Sequence, residues 1–297
     1  MKKSLGEKIF DWVNGVLLTV MAASMVYPFI YVLAISLNEA ADSNRGGIFF
    51  LPRKFTLDSY RIVFENNDLV NAALVSVGRT VIGTVLTVLC SAMFAYVFTK
   101  PEYIIYKPMK VIFFMAMFLG GGALIPVYML YRSLGLLNSF AVYIIPYLVN
   151  LWFVILFRTY YIQLPKALEE AALIDGANEL RIFFTIILPL STPMIATIAL
   201  FAAVDQWNSW RDTLFFTSKE SLKTLQFVMM EVMQKAQART MITRAAMKMQ
   251  RIRQVQTADP VSVRMAITIV TTVPIVCVYP FLQKYFIKGM LVGSMKG

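Results

Sequence analysis

Histidine is absent from the 297 residues, cysteine occurs twice, and charged side chains make up only 15% of the chain. Each shortage excludes something. Without histidine the commonest general base and metal ligand is missing, so hydrolytic triads and His-based zinc sites have nothing to be built from. Cys90 and Cys277 both lie inside apolar runs, which argues against a disulfide scaffold. No Gly-x-x-x-x-Gly-Lys loop occurs, so the chain cannot hold ATP by a P-loop of its own. No catalytic residue, cofactor or metal ligand is therefore expected in it.

What fills the space is apolar: 58% of the residues are hydrophobic and the mean hydropathy is +0.65, far from the mixture of a soluble domain. A hydrocarbon core of about 30 Å takes roughly 20 residues of helix to cross. Six runs of that kind are legible, at about 12–37, 69–98, 111–131, 143–161, 186–216 and 266–285, predicting an all-α polytopic membrane protein formed by one transmembrane domain. The first run follows Lys2, Lys3 and Lys8 as a signal peptide would, but it continues through Val26, Phe29, Val32 and Ile35, longer than a signal h-region, and reads as a retained helix. Gly120, Gly121 and Gly122 inside the third run permit close backbone approach or a break. Trp152, Tyr160 and Tyr161 suit an interfacial belt.

With six crossings both termini share a side, and Lys2, Lys3, Lys8, Lys284, Lys288 and Lys296 favour the cytoplasm. The polar turn with Lys100, Pro101, Glu102, Lys107 and Pro108, and a polar insert over 162–189, then face inward, while the segment 217–264 faces outward. In the insert, Pro165 suits a first helical position and 166–174 holds strong helix formers. Leu164, Leu168 and Ala172 share a face, and Glu169 and Glu170 place negative charge in the first turns. Gly176 supplies a left-handed stop, Asn178 can cap a second helix, and Pro189 and Pro193 bend its return to the membrane. On these residues alone the insert reads either as an interfacial amphipathic helix or as a docking element.

The spacing Glu170-Ala171-Ala172, three residues, Gly176, nine residues, Ile186, one residue, Leu188-Pro189 resembles the EAA signature of permease subunits in binding-protein-dependent ABC importers. The resemblance extends through most of the chain. Gly121-Gly122-Ala123-Leu124-Ile125-Pro126, Trp207-Asn208-Ser209-Trp210 and the ending from Tyr279 to Gly289 are similar to the second, shorter permease of the maltose-type carbohydrate-uptake family, in its lipo-oligosaccharide and alginate branch. The resemblance implies the ABC importer permease fold, with a cytoplasmic coupling helix seated in a cleft of a separate ATPase subunit. It puts Glu170, Ala171, Ala172, Asp175, Gly176, Leu188 and Pro189 in that role. It also implies a bacterial cytoplasmic (inner) membrane location and partners: a sister permease in a heterodimer, two ATPase subunits carrying ATP and Mg, and an extracellular or periplasmic sugar-binding protein. In the family the closing tail can reach the ATPase, which would involve Lys296 and Gly297, though a frayed terminus reads as well.

A sugar path at membrane depth must be polar or aromatic, since polar groups facing lipid are costly. Asn150, Asp205, Gln206, Trp207, Asn208 and Trp210 are the candidates, Asn150 serving equally well as a helix–helix hydrogen bond. The outward segment carries Arg211, Lys219, Lys223, Lys235, Arg239, Arg244, Lys248, Arg251, Arg253 and Arg264 against Asp212, Glu220, Glu231 and Asp259. Beside a pore mouth such a field would steer an acidic oligosaccharide or polysaccharide, uronate-like as in alginate; it would also suit an acidic face of the binding protein or anionic lipid headgroups. Nucleic acid is not needed to explain the net charge of +11. The competing function is a secondary transporter or channel without ATPase, whose paired inverted repeats are not evident.

Overall fold

The computed structural model describes residues 4–43, 45–65, 69–119, 123–248 and 260–294. Lys2, Lys3, Gly120–Gly122, the basic positions Arg251 and Arg253, and the tail residues Lys296 and Gly297 lie outside the described residues. In chain order the helices are α1 (Leu5–Ser36), α2 (Ala40–Ser43), α3 (Asp58–Phe64), α4 (Leu69–Val97), α5 (Tyr106–Leu119), α6 (Leu124–Ser133) and α7 (Leu151–Tyr161). They continue as α8 (Lys166–Ile174), α9 (Glu179–Ile182), α10 (Leu188–Leu190), α11 (Thr192–Asn208), α12 (Arg211–Phe216), α13 (Leu225–Lys248) and α14 (Pro260–Ser294). Three-ten turns cover Phe140–Tyr143, Ile145–Tyr147 and Glu220–Leu222, and a π-helical turn covers Phe183–Ile187. The only extended pairing among the described residues is an isolated bridge between Asn38 and Phe55.

The chain divides into two compact units, one of residues 1–67 and 229–273, the other of 68–228 and 274–297. In the first, α1 starts earlier than its apolar run suggests, because Ser4 and Glu7 form a capping box: the Ser4 hydroxyl accepts from the Glu7 N–H at 3.2 Å and Glu7 accepts from the Ser4 N–H at 2.7 Å. Beyond α1 the chain folds back on the Asn38–Phe55 bridge. There the Asn38 amide and the Arg53 guanidinium both donate to Asp42 and hold its carboxyl below the usual carboxylate range, against the opposing effect of burial.

The second unit is organised by α4, which packs along α11 and α7. Its covered stripe is small or polar, with Ala72, Ser76, Arg79, Gly83, Thr87, Ser91 and Ala95 at three- and four-residue spacing, while Val70, Leu74, Val77, Val81 and Val85 are exposed. That is the reverse of a soluble helix and the pattern of a span whose apolar face meets lipid. At Gly83 a Cβ would sit 2.8 Å from Gln206 Nε2, so α11 approaches as closely as it does because no side chain intervenes. A core of Phe153, Val154, Phe157, Ile182, Phe183, Ile187 and Ile198 fills the space between α4, α7 and the α9–α11 segment.

Among the described residues, three helices are long and apolar enough to cross a membrane by themselves: α1, α4 and the part of α14 over Val261–Val278. Two further candidates are broken. Phe140–Tyr147 and Leu151–Tyr161 meet at 44°, and Glu179–Leu190 and Thr192–Asn208 at 82°. The expected runs at 143–161 and 186–216 are thus not continuous helices, because Pro146 stands at the first break and Pro189 and Pro193 flank the second. Each break leaves backbone groups that a neighbour satisfies. Thr87 donates to the Tyr147 carbonyl at 2.8 Å and Ser91 accepts from the Asn150 N–H at 3.1 Å, while the Tyr160 hydroxyl donates to the Leu190 carbonyl at 3.1 Å. The expected run at 111–131 is divided between α5 and α6, neither long enough alone to span.

Candidate functional site

The insert forms a helix, a tight turn and a second helix. Pro165 precedes α8 rather than beginning it, its ψ of 117° being extended, so the first helical residue is Lys166. At the other end Gly176 has φ +79° and closes a Schellman motif: its N–H donates to the Leu173 carbonyl at 3.0 Å and the Ala177 N–H to the Ala172 carbonyl at 2.9 Å. The Asn178 side chain then caps α9, accepting from the Arg181 N–H at 2.8 Å. The chain returns through the π-helical turn into Leu188 and Pro189.

On this elbow Glu170, Ala171, Asp175 and Gly176 are exposed, as is Pro189. Ala172 and Leu188 are half-buried against the core of the unit, so the two alanines face differently and only Ala171 is free for close approach by another molecule. Leu173 and Ile174 add exposed apolar surface, Ile174 being 86% accessible.

Glu169 and Glu179 are tied inward. Lys100, in the turn after α4, places its ammonium 2.5 Å from Glu169 and 3.4 Å from Glu179, and the Tyr96 hydroxyl donates to Glu179 at 2.6 Å. Burial alone would lower the lysine pKa, but the two carboxylates outweigh it and hold the ammonium above the usual lysine range. The same turn is held by Arg158 of α7, whose Nε donates to the Phe98 carbonyl at 3.1 Å. From the sequence Lys100 is legible only as a turn residue, because Glu169 lies 69 positions from it and Glu179 lies 83 from Tyr96, beyond any local pattern.

The second cluster lies where α4 meets α11 and α12. Arg79 is 2% accessible; it donates through Nε to Gln206 at 2.8 Å and through Nη2 to Asp212. It also reaches the Ser209 carbonyl at 3.4 Å and lies 4.8 Å from the centre of the Tyr143 ring. Asp212 further accepts from the Tyr147 hydroxyl at 2.7 Å and from Ser209 at 2.9 Å. A charged pair this well bonded satisfies the requirement for ions taken out of water. Arg79 and Asp212 were missed as site residues, although a lone arginine within an apolar run is a signal in its own right.

Of the predicted path residues, Asn150, Asp205 and Gln206 come together in a mixed, largely apolar cleft of 90 Å³ that Thr87, Tyr147, Val149 and Phe153 also line. It is far below the roughly 300 Å³ at which pockets enclose a small ligand. Asn150 also caps α7, accepting from the Trp152 and Phe153 N–H groups at 3.0 and 3.2 Å. Gln206 is buried against Arg79, Asp205 and Asn208 are exposed, Trp207 is buried and Trp210 half-buried; Trp207, Asn208 and Trp210 do not line the cleft.

No protein-family model matches the chain. It is 34% identical over 293 residues to the polygalacturonan/rhamnogalacturonan transport system permease protein YtcP of Bacillus subtilis (strain 168), which covers 98% of this chain and 99% of the relative. Protein LplC of the same organism is 34% identical over 299 residues, covering 100% and 98%. Among solved structures, a bacterial ABC transporter involved in the import of the acidic polysaccharide alginate contains a chain that superposes with a TM-score of 0.78 at 28% identity, covering 96% of this chain and 99% of that one.

Proposed function

The chain belongs to the permease subunits of ABC sugar-transport systems, and we propose on that premise that it forms half of the membrane pore through which an acidic oligosaccharide or polysaccharide enters the cell. As a permease it is not an enzyme; ATP is hydrolysed by a separate ATPase. The full-length match to a polygalacturonan/rhamnogalacturonan permease is the observation that carries the substrate class. A relative whose system takes up the acidic polysaccharide alginate points the same way.

The physical support is the cationic outward segment. Arg211 and Lys219 are exposed, and Asp212, which would offset them, is buried against Arg79. Lys223 is held by Glu220 at 2.8 Å and lies over the Phe227 ring. Such a surface raises the local concentration of anions by about tenfold or more. Membrane vesicles bearing the assembled importer should take up oligogalacturonate at least about tenfold faster than a neutral oligomer of equal length, with the difference shrinking in salt. Preference for the neutral oligomer would overturn the reading.

In this proposal the chain crosses the bacterial cytoplasmic membrane six times with both termini inside, and works with a sister permease, two ATPase subunits that carry all the ATP and Mg, and an extracellular or periplasmic binding protein. Helix α8 is the coupling helix. Glu170 contacts the ATPase, Ala171 lets it approach, Gly176 sets the angle to α9, and Leu188 and Pro189 pass displacement into α11. Asn150, Asp205, Gln206, Trp207, Asn208 and Trp210 border the sugar path. Replacement of Glu170 by alanine should abolish ATP-driven uptake and weaken ATPase co-purification while leaving the chain in the membrane; unchanged uptake and association would refute the docking assignment.

A further inference from the structure

The elbow of α8 and α9 has two covalent ways into the membrane, through residues 162–165 to α7 and through the π-helical turn and Pro189 to α11. The polar contacts give it a third, to α4. Lys100 follows α4 directly, is 7% accessible, and bonds at once to Glu169 on α8 and Glu179 on α9. Tyr96, inside the last turn of α4, donates to the same Glu179, and its ring lies 5.1 Å from the Lys100 ammonium. One end of α4 is thereby fixed to both helices of the elbow, while Arg79 and Gly83 of the same helix abut Gln206, which lines the cleft.

We propose that Lys100 is a positioning residue for energy coupling: its ammonium joins both helices of the docking elbow to the end of α4, so that movement of α8 reaches the cleft at Gln206 along α4 as well as through α7 and α11. The inference rests on the reading of α8 as the ATPase-docking helix. The ion pairs suit the task because they are partly covered, charge-assisted and made by one donor to two elements, so neither helix can shift without moving the lysine or breaking a bond. Glu169 serves the clamp, which leaves the adjacent exposed Glu170 to meet the partner.

The test uses the complete importer in lipid vesicles, measuring oligogalacturonate taken up and ATP consumed in the same sample. Lys100→Met should lower the sugar moved per ATP by about fivefold or more, with the ATPase still co-purifying, and Lys100→Arg should restore most of the ratio. An unchanged ratio in Lys100→Met overturns the proposal, as does loss of ATPase association, which would make Lys100 part of the docking surface. If Lys100→Met does not reach the membrane, Glu169→Gln combined with Glu179→Gln removes the same bonds from the partner side and is held to the same outcomes. A wild-type complex that consumes ATP without moving the sugar would fault the substrate class instead, and a wild-type chain that never retains an ATPase would fault the docking reading.

Discussion

Arg79 and Asp212 show what a single side chain can demand of its surroundings. Each is nearly sealed from solvent, and between them they engage Gln206, Ser209, Tyr143 and Tyr147. Arg79→Met strands a buried carboxylate and should cost about 3–5 kcal/mol, read as a lower Tm of the detergent-solubilised importer. Adding Asp212→Leu should recover much of that loss, because it is the unpaired charge that is expensive; no recovery would show that the pair itself supplies the stability. The arginine could be noticed in the sequence as the one charge of its run. Its partners could not, since Gln206 and Asp212 lie 127 and 133 positions away and nothing local links them. At Lys100 the raised pKa fixes a pH expectation. The ammonium's contribution is fully present below the ordinary lysine pKa of about 10.4 and is lost only as pH rises through the still higher folded value, so coupling through this residue should not vary between pH 6 and 9.

Between α8 and α9 the local code is complete. A left-handed glycine, a Schellman pair and an asparagine cap are each written within a few residues, and the sequence therefore reveals the elbow well. Gly176→Ala forces a Cβ into φ +79° and should cost about 1 kcal/mol, and Asn178→Ala about as much through the lost cap. Faster hydrogen exchange over α8 and α9, with the rest of the chain unchanged, would register both. Packing between α4 and α11 is set differently. Gly83→Val would drive its side chain into Gln206 and break that residue's bond to Arg79, a wedge worth about 1–3 kcal/mol that should also impair uptake. The broken segments escaped the apolar-run reading for a related reason: Pro146 and Pro189 are visible, but whether a proline kinks or breaks a span depends on donors such as Thr87 and Tyr160 on other helices.

For the chain as a whole, composition alone declared a membrane protein, and the spacing around Glu170 and Gly176 resembled the family to which full-length relatives now assign it. The proposed sidedness has a direct measurement. With Cys90 and Cys277 replaced, single cysteines at Glu102 and Ile174 should react with a membrane-impermeant maleimide only from the cytoplasm, and one at Lys219 only from outside; labelling of all three from one face would overturn the six-crossing arrangement. The buried ion pair also has a meaning in time. A ribosome adding about 5–20 residues per second needs roughly 7–27 s to travel the 133 positions from Arg79 to Asp212. Throughout that interval α4 must sit in the bilayer with its arginine still waiting for a counter-charge. Val70, Leu74, Val77, Val81 and Val85 of its outer face are what can hold it there for that time, and chains cut short before α12, which keep an unpaired arginine, should be degraded instead of accumulating.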